Sequence, residues 1–225
     1  MLTYQLLVLH QKSLLHSLLV PIIKKDGSLR PIAVGEVFRR LISKVCAKNV
    51  IANISTYLAP LQVGVGVSNG VEAIIHGLNR VISDPLLDPS PVIMLVDFKN
   101  AFNEVNRQSF INEVHDRLPE IFPWVYYSYG GPALLFSGED VIEATTGVQQ
   151  GDPLGPLLFS LALQPLLRNM IEHCFDTSYG SQLPPITSAY LDDVTIVATN
   201  PNHARTCLDF LLHHGPTIGL HVSLS

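Results

Sequence analysis

Asp192 and Asp193 stand side by side in Tyr190-Leu191-Asp192-Asp193, between two apolar segments, Ile186–Tyr190 and Val194–Thr199. The second segment is β-branched and predicts a strand. The first can begin only after Pro184-Pro185. The acidic pair therefore falls at the tip of a tight hairpin. Two ionised carboxylates side by side repel each other, and each is costly to desolvate. A chain that needs only a turn there can use Asn-Gly or a single Asp. Paired acids at a strand tip make more sense when a divalent cation neutralises them. A third carboxylate, Asp97, ends the near-continuous apolar run Pro91–Val96, which predicts a central strand buried on both faces. If these two elements are neighbours in one sheet, three carboxylates converge. Hard oxygen ligands suit Mg²⁺, which keeps some water and takes phosphate oxygens as further ligands. Two such ions about 3.5–4 Å apart can activate an attacking hydroxyl and stabilise the leaving oxygen of a phosphoryl transfer. Each Asp taken alone is better read as a turn residue or a helix cap; all three together at strand termini favour the metal site.

The elements that must position these acids follow from periodicity. Leu18–Ile23 and Leu29–Val34 read as hairpin arms around Lys25-Asp26-Gly27-Ser28. A helix from about Gly35 to Tyr57 should bury Phe38, Leu41, Ile42, Val45 and Val50. Val63-Gly64-Val65-Gly66 is loop-like, and its two glycines are too weak a signal for a phosphate loop. A second helix starts near Asn69, with Glu72 placed as in a capping box. It carries Val71, Ile74, Ile75 and Leu78 and ends by Asp84-Pro85. After Asp97 come a helix from about Gln108 to Leu118, an aromatic segment at Trp124–Tyr129, and a hairpin of Ala133–Phe136 and Val141–Ala144. Gly147–Pro156 is a Gly/Pro-rich loop opening a helix from about Leu157 to His173. A helix from about His203 to His214 and the apolar stretch Leu220–Leu224 follow the acidic hairpin. The pattern is α+β: an antiparallel-rich sheet backed by helices.

Bulk properties narrow the class. The 225 residues suffice for one core and a small second lobe, and the 47% hydrophobic content is that of a folded domain. No uncharged apolar run is long enough to cross a bilayer. The N-terminal MLTYQLLVLH lacks a basic leader and a small-residue cleavage site, and reads as ordinary structure. The sequon at Asn53-Ile54-Ser55 is then coincidental. Cys46, Cys174 and Cys207 show no paired spacing, which argues for a reducing compartment over a disulfide framework. His173, His213 and His214 lie near cysteines without zinc spacing, so solvated or core histidines are the preferred reading. Net charge is −5, unevenly distributed. Lys24, Lys25, Arg30, Arg39, Arg40, Lys44 and Lys48 face only Asp26 and Glu36 in their segment, giving +5 against −10 elsewhere. For Arg39, Arg40, Lys44 and Lys48, a phosphate-facing patch and the solvated face of a helix are both open readings.

Four motifs in order resemble one family. VPIIKKDGSLRPIAV, VDFKNAFNEV, GVQQGDPLGPLLFSL and AYLDD are similar to the fingers hairpin, first palm carboxylate motif, primer- and template-side loop and catalytic hairpin of the reverse transcriptase domain, most closely that of non-LTR (LINE-like) retrotransposons. GLHVSLS resembles the start of the next palm motif. The resemblance runs from about Leu18 to the C-terminus. It implies a polymerase palm with partial fingers and no thumb, residues 18–90 fingers-rich and 91–225 palm-rich. It implies an intracellular protein, nuclear by analogy, that uses RNA template, DNA primer and dNTPs, without a membrane. The chain is expected to be a piece of a longer polyprotein carrying the thumb and an endonuclease.

The resemblance also assigns roles. Asp97 and Asp192, with Asp193 alongside and the backbone carbonyl of Phe98, would hold two Mg²⁺ ions, with Mn²⁺ as substitute. Phe102, five residues beyond Asp97, occupies the steric-gate position, where a ring excludes a ribose 2′-OH; as a core aromatic it could do both. Lys24 or Lys25, with Arg30, would bind the triphosphate. Gln150 and Gly151 would touch the incoming nucleotide and the template base, and Gly151 permits close backbone approach. Asp152-Pro153 would shape the loop and start the helix. Departures are Leu191, where these retroelements most often carry Ala, and Asn103 in place of a common acid. Two rival readings remain: an RNA-dependent RNA polymerase palm, against which Phe102 argues, and a truncated, decayed or domesticated fragment. For the latter, the intact acidic triad argues against long decay and the abrupt end argues for truncation, so that this stretch alone is expected to be weak or inactive.

Overall fold

The computed structural model describes residues 15–23, 27, 29–83, 91–174 and 186–223. β1 (Ser17–Ile23) and β2 (Leu29–Gly35) form the first hairpin, with Ser17 opposite Gly35 and Ile23 opposite Leu29. β4 (Ala133–Ser137) and β5 (Asp140–Ala144) form another. β4 lies parallel to β1, giving a four-stranded sheet in the order β2-β1-β4-β5. The second sheet is antiparallel throughout, β3-β7-β6, from β3 (Val92–Val96), β6 (Ile186–Tyr190) and β7 (Asp193–Ala198).

The helices are α1 (Val37–Leu58), α2 (Gly70–Ile82), α3 (Ala101–Glu104), α4 (Arg107–Arg117), α5 (Phe122–Tyr129), α6 (Gly155–Cys174) and α7 (Pro201–His214). Helix α6 is apolar nearly all round because it is the central element, with Leu158, Phe159, Leu161, Leu163, Leu167 and Met170 fully buried. Each such side chain contributes roughly 1.5–3 kcal/mol on burial. Met94, Val96, Val194 and Ile196 of the second sheet pack into the same core. Asn side chains start two helices: Asn106 accepts from Gln108 N at 2.8 Å and Asn200 from His203 N at 2.9 Å.

Three expectations change. On α1, Val50 is buried, but Phe38 is 69% exposed and Leu41, Ile42 and Val45 are exposed as well. The inward face instead carries Arg39, Ser43, Val50, Ile54 and Leu58. The N-terminal half of α1 packs through polar groups, Arg39 against Asp152 and Ser43 Oγ accepting from Trp124 Nε1 at 3.1 Å, so the apolar residues turn outward. Strand β3 is an edge strand buried on one face, and Leu95 is 77% exposed. Helix α2 lies over β6 and β7 instead, where Ile74, Leu78 and Val81 face Ile186 and Val197. Asn69 does precede α2, but with φ 55° and no side-chain cap hydrogen bond, so no capping box forms. The aromatic segment is helix α5, started by Pro123.

Candidate active site

The register of the second sheet brings the acids together. Val96 pairs with Val194 and Tyr190 with Asp193. One further step along the β3–β7 ladder sets Asp97 opposite Asp193. Leu191 and Asp192 form the two-residue loop between β6 and β7. Of these two only Leu191 has positive φ, 58°, the pattern of a type II′ turn, where glycine is the usual first residue. Past Asp97, Phe98 bridges Val222, with Lys99 N donating to His221 O and Ser223 N to Asp97 O, both at 2.8 Å. In such a pair Phe98 contributes neither of its own backbone groups, so its carbonyl is not used by the ladder.

Asp97, Asp192 and Asp193 line one open cavity of about 800 Å³ with Phe98 and Phe102. Arg30, Gln150 and Gly151 line the same cavity. Burial pushes the Asp192 carboxyl above its ordinary range, the like charges of Asp193 and Asp97 add to this, and Arg30 opposes it. A bound cation would offset both the burial and the like charges. Among the described residues no three His, Cys, Asp or Glu side chains are already gathered in a metal-holding group. Carboxylates and a backbone carbonyl beside an open cavity are hard oxygen donors, a set that suits Mg²⁺ with water and substrate phosphate completing its shell.

Phe102 is braced. Its ring stacks on the fully buried Phe159, centroids 4.6 Å apart and planes 15° from parallel. The Gln150-Gly151 loop is fixed from below. A Cβ on Gly151 would stand 2.2 Å from Ala33 O, so only glycine lets the loop lie this close to β2. Ser17 Oγ donates to Gln149 Oε1 at 3.0 Å. Asp152 is buried: Oδ1 accepts from Leu154 N at 2.9 Å, and Oδ2 accepts from Tyr129 Oη at 2.8 Å and from Arg39 Nη2 at 3.5 Å. Asp152 thus shapes the loop and opens α6, as expected, and also ties both to α1 and α5. Arg39 is only 1% exposed, so it is neither a phosphate-facing nor a solvated residue, whereas Arg40, Lys44 and Lys48 are exposed. Lys24 and Lys25 lie outside the described residues. Sequence reasoning missed Arg39 and Tyr129 as supports of the loop; an Arg inside a basic run carried no signal of burial.

Residues 22–225 match the family model described as reverse transcriptase (RNA-dependent DNA polymerase). The chain belongs to the reverse transcriptase family. Similar proteins include the retrotransposable element SLACS 132 kDa protein of Trypanosoma brucei gambiense, 25% identical over 191 residues, covering 82% of this chain and 15% of that protein. Another is the Pol polyprotein of the type-2 retrotransposable element R2DM of Drosophila melanogaster, 28% identical over 214 residues, covering 88% and 19% respectively. The chain therefore spans less than a fifth of these relatives' length. Among solved structures, telomerase from Candida tropicalis with a fragment of telomeric RNA superposes with a TM-score of 0.69 at 13% identity, over 99% of this chain and 43% of that one. Telomerase from Candida albicans gives 0.68 at 12% identity, over 92% and 42%. The chain thus has the polymerase palm fold, with non-LTR retrotransposon proteins among its relatives. Among the described residues no helix is long and apolar enough to cross a membrane.

Proposed function

We propose that this chain is the fingers-and-palm part, residues 18–90 and 91–225, of an RNA-directed DNA polymerase that extends a DNA primer on an RNA template within a longer retrotransposon polyprotein. The observation that carries this is that Asp97, Asp192 and Asp193 line one cavity together with Phe102, Gln150-Gly151 and Arg30. Two Mg²⁺ ions, held by Asp97, Asp192 and the Phe98 carbonyl with Asp193 alongside, would supply Lewis acidity for attack of a primer 3′-OH on the α-phosphate of a dNTP and departure of pyrophosphate. The chain's own residues bind and orient. Arg30, with Lys24 or Lys25, pairs with the triphosphate through fixed positive charge. The Phe102 ring, held by Phe159, occupies the space a ribose 2′-OH needs. Gln150 and Gly151 present side chain and bare backbone to the nucleotide and template base. No side chain serves as a nucleophile; most of the rate comes from holding the reactants in line.

The test is primer extension by the polyprotein containing this chain, on an RNA template with dNTPs and Mg²⁺. DNA complementary to the template, lost on chelation of the metal, is the expected result. Extension that ignores the template, or none under any divalent ion, would overturn the proposal.

A further inference from the structure

We propose that Gln62 is a positioning residue of the acidic hairpin: its side-chain amide holds Leu191 in the left-handed conformation and so sets the directions of Asp192 and Asp193. The inference rests on the reading of those acids as the reactive site. Gln62 is completely buried, in the segment between α1 and α2 and 129 residues from Leu191. Its Nε2 donates to Leu191 O at 3.1 Å, and its Oε1 accepts from Leu191 N at 2.8 Å. One planar amide therefore satisfies both backbone groups of the residue at the turn. Oε1 also accepts from Gly64 N at 3.0 Å, which fixes the amide's own orientation.

The main chain delivers Gln62 to this place. Val63 N donates to Ala189 O at 2.8 Å and Ala189 N to Leu61 O at 2.6 Å, so the segment runs parallel to β6 and forms a bridge at Gln62. Backbone pairing stops at Ala189; the Gln62 side chain continues it around the tip. Gly64 completes the fit, since a Cβ there would stand 2.8 Å from Leu191 N.

The turn needs this support. A bulky residue at positive φ is unfavourable and persists only where its surroundings over-determine it. The two-residue loop otherwise has a single pair, Tyr190 with Asp193, to hold it. Without the amide, Leu191 would relax toward negative φ and swing the Leu191-Asp192 peptide, and Asp192 is the next residue. Glutamine is the side chain that fits: Met has the length but no polar atoms for the pairing, and an ionised Glu cannot donate to Leu191 O.

The experiment uses the polymerase-containing polyprotein and two readouts. Gln62→Met should slow single-turnover dNTP incorporation about 10- to 100-fold with little change in apparent dNTP affinity, because a misplaced reacting group costs rate at that scale. Adding Leu191→Gly should recover most of the loss, since glycine adopts the turn unaided; a merely structural role for Gln62 would show no such rescue. Independently of activity, amide hydrogen exchange at Leu191 should accelerate in Gln62→Met while Val63, paired with Ala189, stays protected. If Gln62→Met does not fold, Gln62→Glu replaces it, expected to be slowed and rescued in the same way. Wild-type rates with unchanged Leu191 exchange would overturn the proposal, as would a loss that Leu191→Gly leaves untouched. A wild type without polymerase activity would sink the functional reading while exchange at Leu191 still decides this one.

Discussion

Replacing Arg39 with Met should unbalance the ground beneath the substrate loop. Arg39 Nη2 lies 3.5 Å from Asp152 Oδ2, and both side chains are almost wholly buried. At that separation, with an effective dielectric constant of about 20, the attraction is about 5 kcal/mol before desolvation is counted. Arg39→Met leaves the Asp152 carboxylate buried with only Tyr129 Oη and Leu154 N. Breaking a buried pair from one side typically costs about 3–5 kcal/mol. For a chain of this size that corresponds to a fall in melting temperature of about 6–20 °C. Thermal and urea unfolding measure it directly. Arg39→Met with Asp152→Asn should recover part of the loss, because the uncompensated charge is gone. Apparent dNTP affinity should fall in Arg39→Met, since Asp152 adjoins Gly151. A stability loss below about 1 kcal/mol, the size of an exposed ion pair, or a double variant worse than the sum of the single ones, would refute the reasoning.

Gly151→Ala places a Cβ 2.2 Å from Ala33 O, so the loop must retreat by about 1 Å, and primer extension should fall about 100-fold with the fold intact by circular dichroism. Phe102→Val should raise ribonucleotide incorporation relative to dNTP about 10- to 100-fold; equal use of both sugars by the wild type would contradict the gate. Burial holds the His203 imidazole pKa below its ordinary 6.5. The folded chain then takes up that proton less readily than the unfolded chain, so the contribution to stability is present above pH 6.5 and is lost as pH falls through it. His203→Gln should flatten this acid loss in urea unfolding followed from above pH 6.5 down through the acid range.

The site was largely legible because its parts are local. The paired acids between β-branched arms and Asp97 at the end of an apolar run mark strand tips in the sequence itself, and the register β3-β7-β6 only brings those tips together. What was hidden depends on distant partners. Helix α1 looked amphipathic through Phe38, Leu41 and Val45, but Arg39 pairs with an Asp 113 residues away and turns that pattern outward. The all-apolar run of β3 looked two-sided, yet Leu95 on one face is 77% exposed. Gln62 has no motif around it, and its role appears only when the chain folds it beside Leu191.

Single-nucleotide incorporation by the full polyprotein on a primed RNA template, compared between wild type, Asp97→Asn and Asp192→Asn, tests the central claim most directly. Each substitution keeps the side-chain volume and removes the charge. Both variants should fold like the wild type and lose incorporation by at least about 1,000-fold, on the order of the charge stabilisation such sites supply. Incorporation at the wild-type rate by either variant would contradict the assignment of these carboxylates as the reactive centre.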